Sequence, residues 1–171
     1  MKIRLFGTVN DSIVDGPGLR YAIFTQGCLH NCLGCHNPES HALDGGYLKD
    51  CNQILAEIFQ NPLLDGITLS GGEPMLQVEP LKYICQEVKK KNLNIVIYSG
   101  YTYEEIIADP LKLSLLKMGD MLVDGRFDIN KRSLALLYRG SSNQRLINIQ
   151  ASLNQGRVIE YEIDEYGEIE I

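Results

Sequence analysis

The sequence predicts an α/β fold on a mostly parallel sheet, and three observations carry that prediction. Short β-branched runs alternate with amphipathic helical patterns along most of the chain, the arrangement of right-handed βαβ units. The runs are too apolar to leave one face in water, as is usual for strands covered on both faces. The final stretch, 158–171, interleaves polar and apolar residues around Asp164-Glu165-Tyr166-Gly167. That pattern predicts an antiparallel hairpin at a sheet edge, with its acidic side chains in water.

The expected strands fall at 21–25, 66–70, 94–98, 121–123 and 146–150. Between them, Asp50 is an N-cap candidate ahead of an apolar face made by Ile54, Leu55, Ile58 and Phe59. Val78, Leu81, Ile84, Cys85 and Val88 make a second helical face that runs into Lys89-Lys90-Lys91, a basic end suited to a helix C-terminus. Thr102-Tyr103-Glu104-Glu105 has the form of a capping box, and Asp109-Pro110 places a cap before proline in the first turn.

At 171 residues the chain can bury roughly two thirds of its unfolded surface, enough for a core without disulfides or metal staples. We therefore expect one domain, 1–171, with 151–171 as a hairpin-like extension. An eight-stranded barrel of about 250 residues does not fit. The net charge of −6 argues against a protein that grips phosphate backbones, so no nucleic-acid partner is expected. The N-terminus shows no apolar leader segment, and no stretch reaches membrane-spanning length, so a cytoplasmic protein with no membrane partner is expected. Five cysteines are an odd number, and clustered thiols in a reducing compartment point to metal or catalytic roles rather than to disulfides.

Glycine-rich polar motifs follow the strands: Gln26-Gly27-Cys28, Gly71-Gly72-Glu73-Pro74, Ser99-Gly100-Tyr101 and Asp124-Gly125-Arg126. A parallel sheet gathers these at one edge, where ligands bind. Cys28, Cys32 and Cys35 have the spacing CxxxCxxC in a short loop. With His30 or His36 as a fourth ligand they suit structural zinc. As three thiolates they suit an iron-sulfur cluster with one open iron. The loop alone serves both. Cys32-Leu33-Gly34-Cys35-His36 also matches c-type haem attachment, but that reading leaves Cys28 without a role. Cys51 and Cys85 lie in the predicted helices and read as small core residues.

The thiol loop followed one βα unit later by Gly71-Gly72-Glu73-Pro74 resembles the radical S-adenosylmethionine enzymes. Further segments narrow the resemblance to the activating proteins of anaerobic ribonucleoside-triphosphate reductase. These are Asp15-Gly16-Pro17-Gly18-Leu19-Arg20, Gly34-Cys35-His36-Asn37-Pro38-Glu39, Tyr98-Ser99-Gly100-Tyr101, Leu122-Val123-Asp124-Gly125-Arg126-Phe127 and Arg139-Gly140-Ser141-Ser142-Asn143-Gln144-Arg145. The resemblance implies a partial, open parallel β/α barrel of about five to six strands. It implies one 4Fe-4S cluster on Cys28, Cys32 and Cys35, and S-adenosylmethionine as cosubstrate. Gly71, Gly72 and Glu73 would hold the methionine end, with Glu73 meeting the ammonium group. Gly34 and His36 would lie near the nucleotide, and Ser99 would add a contact.

The implied reaction passes one electron, from a donor such as flavodoxin, to S-adenosylmethionine. The resulting 5′-deoxyadenosyl radical takes a hydrogen atom from a glycine of the reductase. Arg20, Arg126, Arg139 and Arg145 sit in or beside the motifs as candidates for gripping an anion or the partner. Two rival readings stay open on the residues: a radical enzyme for another glycyl-radical protein or a small molecule, as 7-carboxy-7-deazaguanine synthases are, and a zinc or iron-sulfur electron carrier.

Overall fold

The computed structural model describes residues 1–171. Seven strands form one sheet: β1 (Lys2–Ser12), β2 (Arg20–Thr25), β3 (Tyr47–Asp50), β4 (Gly66–Gly71), β5 (Asn94–Ser99), β6 (Met121–Asp124) and β7 (Arg145–Asn148). Their spatial order is β3-β1-β2-β4-β5-β6-β7. The central four, β2-β4-β5-β6, are parallel; β1 and β7 flank them antiparallel, and β3 pairs antiparallel with the outer edge of β1. This corrects the expected five to six strands and the parallel sense of the last one. No helix is long and apolar enough to cross a membrane.

Side-chain alternation gives the sheet two different faces. Tyr21, Ile23, Ile67, Leu69, Ile95, Ile97 and Leu122 point to the main core, against α1 (Cys51–Gln60), α2 (Val78–Lys89) and α4 (Pro110–Leu116). Val96, Met121, Val123 and Leu146 form a small cluster on the other face. That inner face has no layer of helices on it. A sheet with helices on one side, and loops and the C-terminal tail packed on the other, is the half-barrel that the resemblance implied.

The helices begin where the caps predicted. The Asp50 carboxylate accepts from the Asn52 amide at 2.8 Å, and Asp109 accepts from Leu111 and Lys112. Thr102 and Glu105 complete a reciprocal capping box at α3 (Tyr103–Ile107). The run expected as a strand at 146–150 ends early. The Asn148 side chain accepts from the Ala151 amide at 3.0 Å and starts α5 (Ile149–Gln155), so Ile149 and Gln150 are helical.

The C-terminal hairpin takes a looser form than expected. One arm lies along the free edge of β7, with a single bridge between Ile147 and Glu160. Gly167, at φ +76°, turns the chain, and the Asp164 carboxylate oxygen accepts from the Tyr166 and Glu168 amides. The second arm then leaves the sheet plane to bury Ile169 on the inner face. No strand ladder forms between the arms, because the burial of Ile169 takes precedence over in-plane pairing. Glu160, Glu162, Asp164, Glu165, Glu168 and Glu170 are all exposed.

Arg20 closes the inner face near its lower end. It is fully buried, and its guanidinium donates to Thr68 Oγ1 at 2.7 Å and to the carbonyls of Pro17 and Ile67 at 2.7 and 2.6 Å. Burial lowers its pKa to about 10, and carbonyl dipoles take the place of a carboxylate partner. Its role is internal, not the anion grip considered from sequence.

Candidate functional site

The upper ends of β2, β4, β5 and β6 surround one cavity of about 220 Å³. Cys28, Cys32, Cys35, His36, Gly71, Gly72 and Ser99 line it. The expectation that the strand-end motifs share an edge therefore holds in the fold. Gly100, Gly125, Phe127, Gly140 and Gln144 complete the wall. Sequence reasoning placed the motifs of Gly100 and Gly125 at this edge and quoted Phe127, Gly140 and Gln144 inside motifs, but assigned none of the five to the site. Their signal was membership of the motifs around Ser99, Asp124 and Arg139.

The thiol loop is held by its flanks. The Gly27 amide donates to the Ser40 carbonyl at 2.7 Å, and the Cys28 amide to the His41 carbonyl at 3.1 Å. Burial pushes the Cys28 thiol up. No three His, Cys, Asp or Glu side chains converge as one metal ion would require. Tetrahedral zinc needs its thiolates about 2.3 Å from a single point. A cubane instead spreads its thiolates over separate irons, so three thiols spaced around one cavity fit it better. Cys51 and Cys85 lie in the main core, fully buried.

Gly71 and Gly72 are required by the protein's own backbone. Gly71 has φ +100°, and a Cβ there would fall 2.4 Å from the Thr25 nitrogen. A Cβ on Gly72 would fall 2.4 Å from the Gly27 carbonyl oxygen. The two glycines let the β4 loop lie directly against the root of the thiol loop. This adds a packing reason to the close ligand approach expected from sequence.

Glu73 differs from expectation. It is 1% exposed and does not line the cavity. Its Oε1 accepts from the Met75 amide at 2.9 Å and Ser99 Oγ at 2.8 Å. Its Oε2 accepts from the Gly100 amide at 2.8 Å and pairs with His30 Nε2 at 2.6 Å. A carboxylate has about four lone-pair sites, and all are taken by this chain. Glu73 ties the thiol loop, its own loop and the β5 loop together.

His30 reaches Glu73 because Gly100 has no side chain. A Cβ at Gly100 would lie 2.4 Å from the imidazole, and Tyr101 packs edge-on with its ring centre 4.5 Å away. Gly100→Ala is expected to displace His30 and cost about 1 to 3 kcal/mol. Urea unfolding of the metal-free protein measures it, and an unchanged midpoint would contradict the packing described.

Gly34 also lies off the cavity. It has φ +74°, and a Cβ there would meet Ile129 Cδ1 at 2.7 Å. A left-handed turn against the 127–129 segment requires glycine there. His36 does line the cavity, tilted against Phe127 with ring centres 5.1 Å apart.

The remaining motif arginines are engaged. Arg145 joins buried Asp124 at 2.6 Å and Glu104 at 2.7 Å, which raises its already high pKa. Arg126 pairs with Glu105, and Arg139 donates to the Gln144 carbonyl at 3.1 Å. Gln144 stitches the rim, accepting from Gly140 and Ser141 and donating to the Gly125 carbonyl.

Comparison with known proteins agrees with this arrangement. A family model described as a 4Fe-4S single cluster domain matches residues 14–147. The anaerobic ribonucleoside-triphosphate reductase-activating protein of Haemophilus influenzae is 34% identical, covering 77% of this chain and 89% of its own. The protein of the same name from Pasteurella multocida is 35% identical with the same coverage. That of Enterobacteria phage T4 is 34% identical, covering 78% of this chain and 86% of its own. Among solved structures, QueE from Escherichia coli superposes with a TM-score of 0.50 at 12% identity, over 76% of this chain and 74% of that one. That likeness concerns the fold alone. With the cluster-domain match running from the Asp15 motif through β7, and relatives matched over most of both chains, this protein belongs to the family of anaerobic ribonucleoside-triphosphate reductase-activating proteins.

Proposed function

We propose that this chain is an activase that generates a glycyl radical on an anaerobic ribonucleoside-triphosphate reductase, using a 4Fe-4S cluster and S-adenosylmethionine. The observation that carries the reading is the single cavity on which the three thiols and the β4, β5 and β6 loops converge. When bound, the reduced cluster supplies the electron that cleaves S-adenosylmethionine to methionine and a hydrogen-abstracting radical.

In this reading Cys28, Cys32 and Cys35 hold the cluster and leave one iron open. The backbone of Gly71 and Gly72, with Ser99, receives the methionine end. His36 and Phe127 offer a tilted aromatic pair to the adenine. Glu73 keeps these loops in register from behind, and Gly34 serves the turn. The cavity at the strand ends suits a protein loop as substrate, since about 171 residues leave a full barrel unclosed. A one-electron donor such as flavodoxin supplies the reductant, and the cytoplasm the compartment.

The anaerobically reconstituted, reduced protein is expected to form 5′-deoxyadenosine and methionine in equal amounts from S-adenosylmethionine. Chromatography of the quenched mixture measures both. A protein that holds an iron-sulfur cluster and only passes electrons would form neither, and that result would favour the carrier reading.

A further inference from the structure

We propose that His41 is a positioning residue for the cluster ligand Cys35 and that it tunes the cluster's reduction potential. The inference rests on the cluster assignment above. His41 lies outside every motif singled out in the sequence, yet its Nε2 lies 3.3 Å from the Cys35 sulfur. The Asn37 amide points at the same sulfur from 3.4 Å.

The imidazole is fixed by the backbone that carries it. The chain makes a 3₁₀ turn over Pro38–Ser40, and the His41 amide donates to the Pro38 carbonyl at 3.2 Å. Fully buried Ser40 anchors that turn, its hydroxyl donating to the Asn37 carbonyl at 2.7 Å. The His41 carbonyl in turn accepts from the Cys28 amide at 3.1 Å. One residue therefore braces the first thiol through its backbone and the third through its ring.

A cluster-bound thiolate carries no proton, so the contact persists there only with hydrogen on Nε2, donated to sulfur. Donation to a ligand sulfur stabilises the more negative, reduced cluster and raises its potential. Losing one ordinary hydrogen bond shifts such an equilibrium about tenfold, equivalent to about 59 mV for a one-electron couple.

The test compares the full-length protein with His41→Phe, which keeps a ring and removes the donor, and His41→Gln, which keeps an N–H. Each is reconstituted anaerobically and titrated with reductant while the reduced-cluster signal is followed by electron paramagnetic resonance. With iron content equal, His41→Phe is expected to reduce at a potential about 59 mV more negative, and His41→Gln close to the unsubstituted protein. Equal midpoints for His41→Phe and the unsubstituted protein would overturn the proposal.

Should His41→Phe lose its iron, His41→Leu takes its place in the titration, with the same shift expected and equal midpoints again overturning the proposal. An unsubstituted protein that takes up no four-iron cluster would overturn the functional reading instead, and iron analysis separates that failure from the others.

Discussion

Replacing Cys28, Cys32 or Cys35 with Ala is expected to abolish the four-iron spectrum and all S-adenosylmethionine cleavage, whereas Cys51→Ala and Cys85→Ala leave both intact. Three thiols leave nothing in reserve, since no further cysteine lines the cavity. Cys51 and Cys85 are packed among the core side chains with no exposed surface, and burial pushes the Cys85 thiol up to about 12. Such thiols stay protonated and serve as small hydrophobes. Their truncation should cost stability of about 1 kcal/mol or more, depending on how the core relaxes. Iron analysis and absorption spectra of the five variants measure the contrast. Stoichiometric zinc on four protein ligands, or a normal cluster in any of the first three variants, would contradict the assignment.

Glu73→Ala is expected to be the most destabilising single substitution at the site. It would strand the amides of Met75 and Gly100, the Ser99 hydroxyl and the His30 ring around a buried hole. Each unsatisfied buried group costs about 1 to 3 kcal/mol, so the total approaches the 5 to 15 kcal/mol that holds an ordinary domain together. Glu73→Gln keeps the volume but turns an NH₂ group toward two donors. It should cost about 2 to 6 kcal/mol at the same per-group rate. The decisive measurement is urea unfolding of the metal-free protein without S-adenosylmethionine. A carboxylate whose task is to meet the methionine ammonium would show little change there, and only ligand affinity would fall.

The difference between these two views of Glu73 shows what was legible in the sequence. That a carboxylate follows two glycines is a local fact. That donors from the thiol loop and the β5 loop converge on it depends on contacts between residues 26, 27 and 43 positions apart, which no spacing rule reports. Gly34 and Gly72 were legible as glycines needing a reason. The reasons, Ile129 for one and the Gly27 carbonyl for the other, are tertiary.

The fold shows the same division. The four parallel strands were legible because both their faces are covered, and α1 to α4 because of their apolar faces or side-chain caps. β1 escaped notice because its pairing with β2 shifts register between Leu5 and Gly7 and again between Val9 and Ser12, which breaks the two-residue period. β3 is four residues long and has no buried side chain, so it carries no hydrophobic pattern. β7 was seen, but its sense was not. A short antiparallel return and a helix starting at its last residue resemble one more βα unit until Asn148 is recognised as a cap.

The central claim is that this protein makes a radical on a backbone glycine of a large partner. The most direct measurement is the electron paramagnetic resonance spectrum of the cluster-loaded protein mixed anaerobically with the reductase, S-adenosylmethionine and reductant. The account predicts a glycyl-radical doublet that requires all four components and each of Cys28, Cys32 and Cys35. The doublet should vanish when the reductase glycine is replaced by Ala, while S-adenosylmethionine cleavage continues. A cluster-loaded, cleavage-competent protein that gives no doublet with the reductase, or that turns over a small molecule with no partner present, would contradict it.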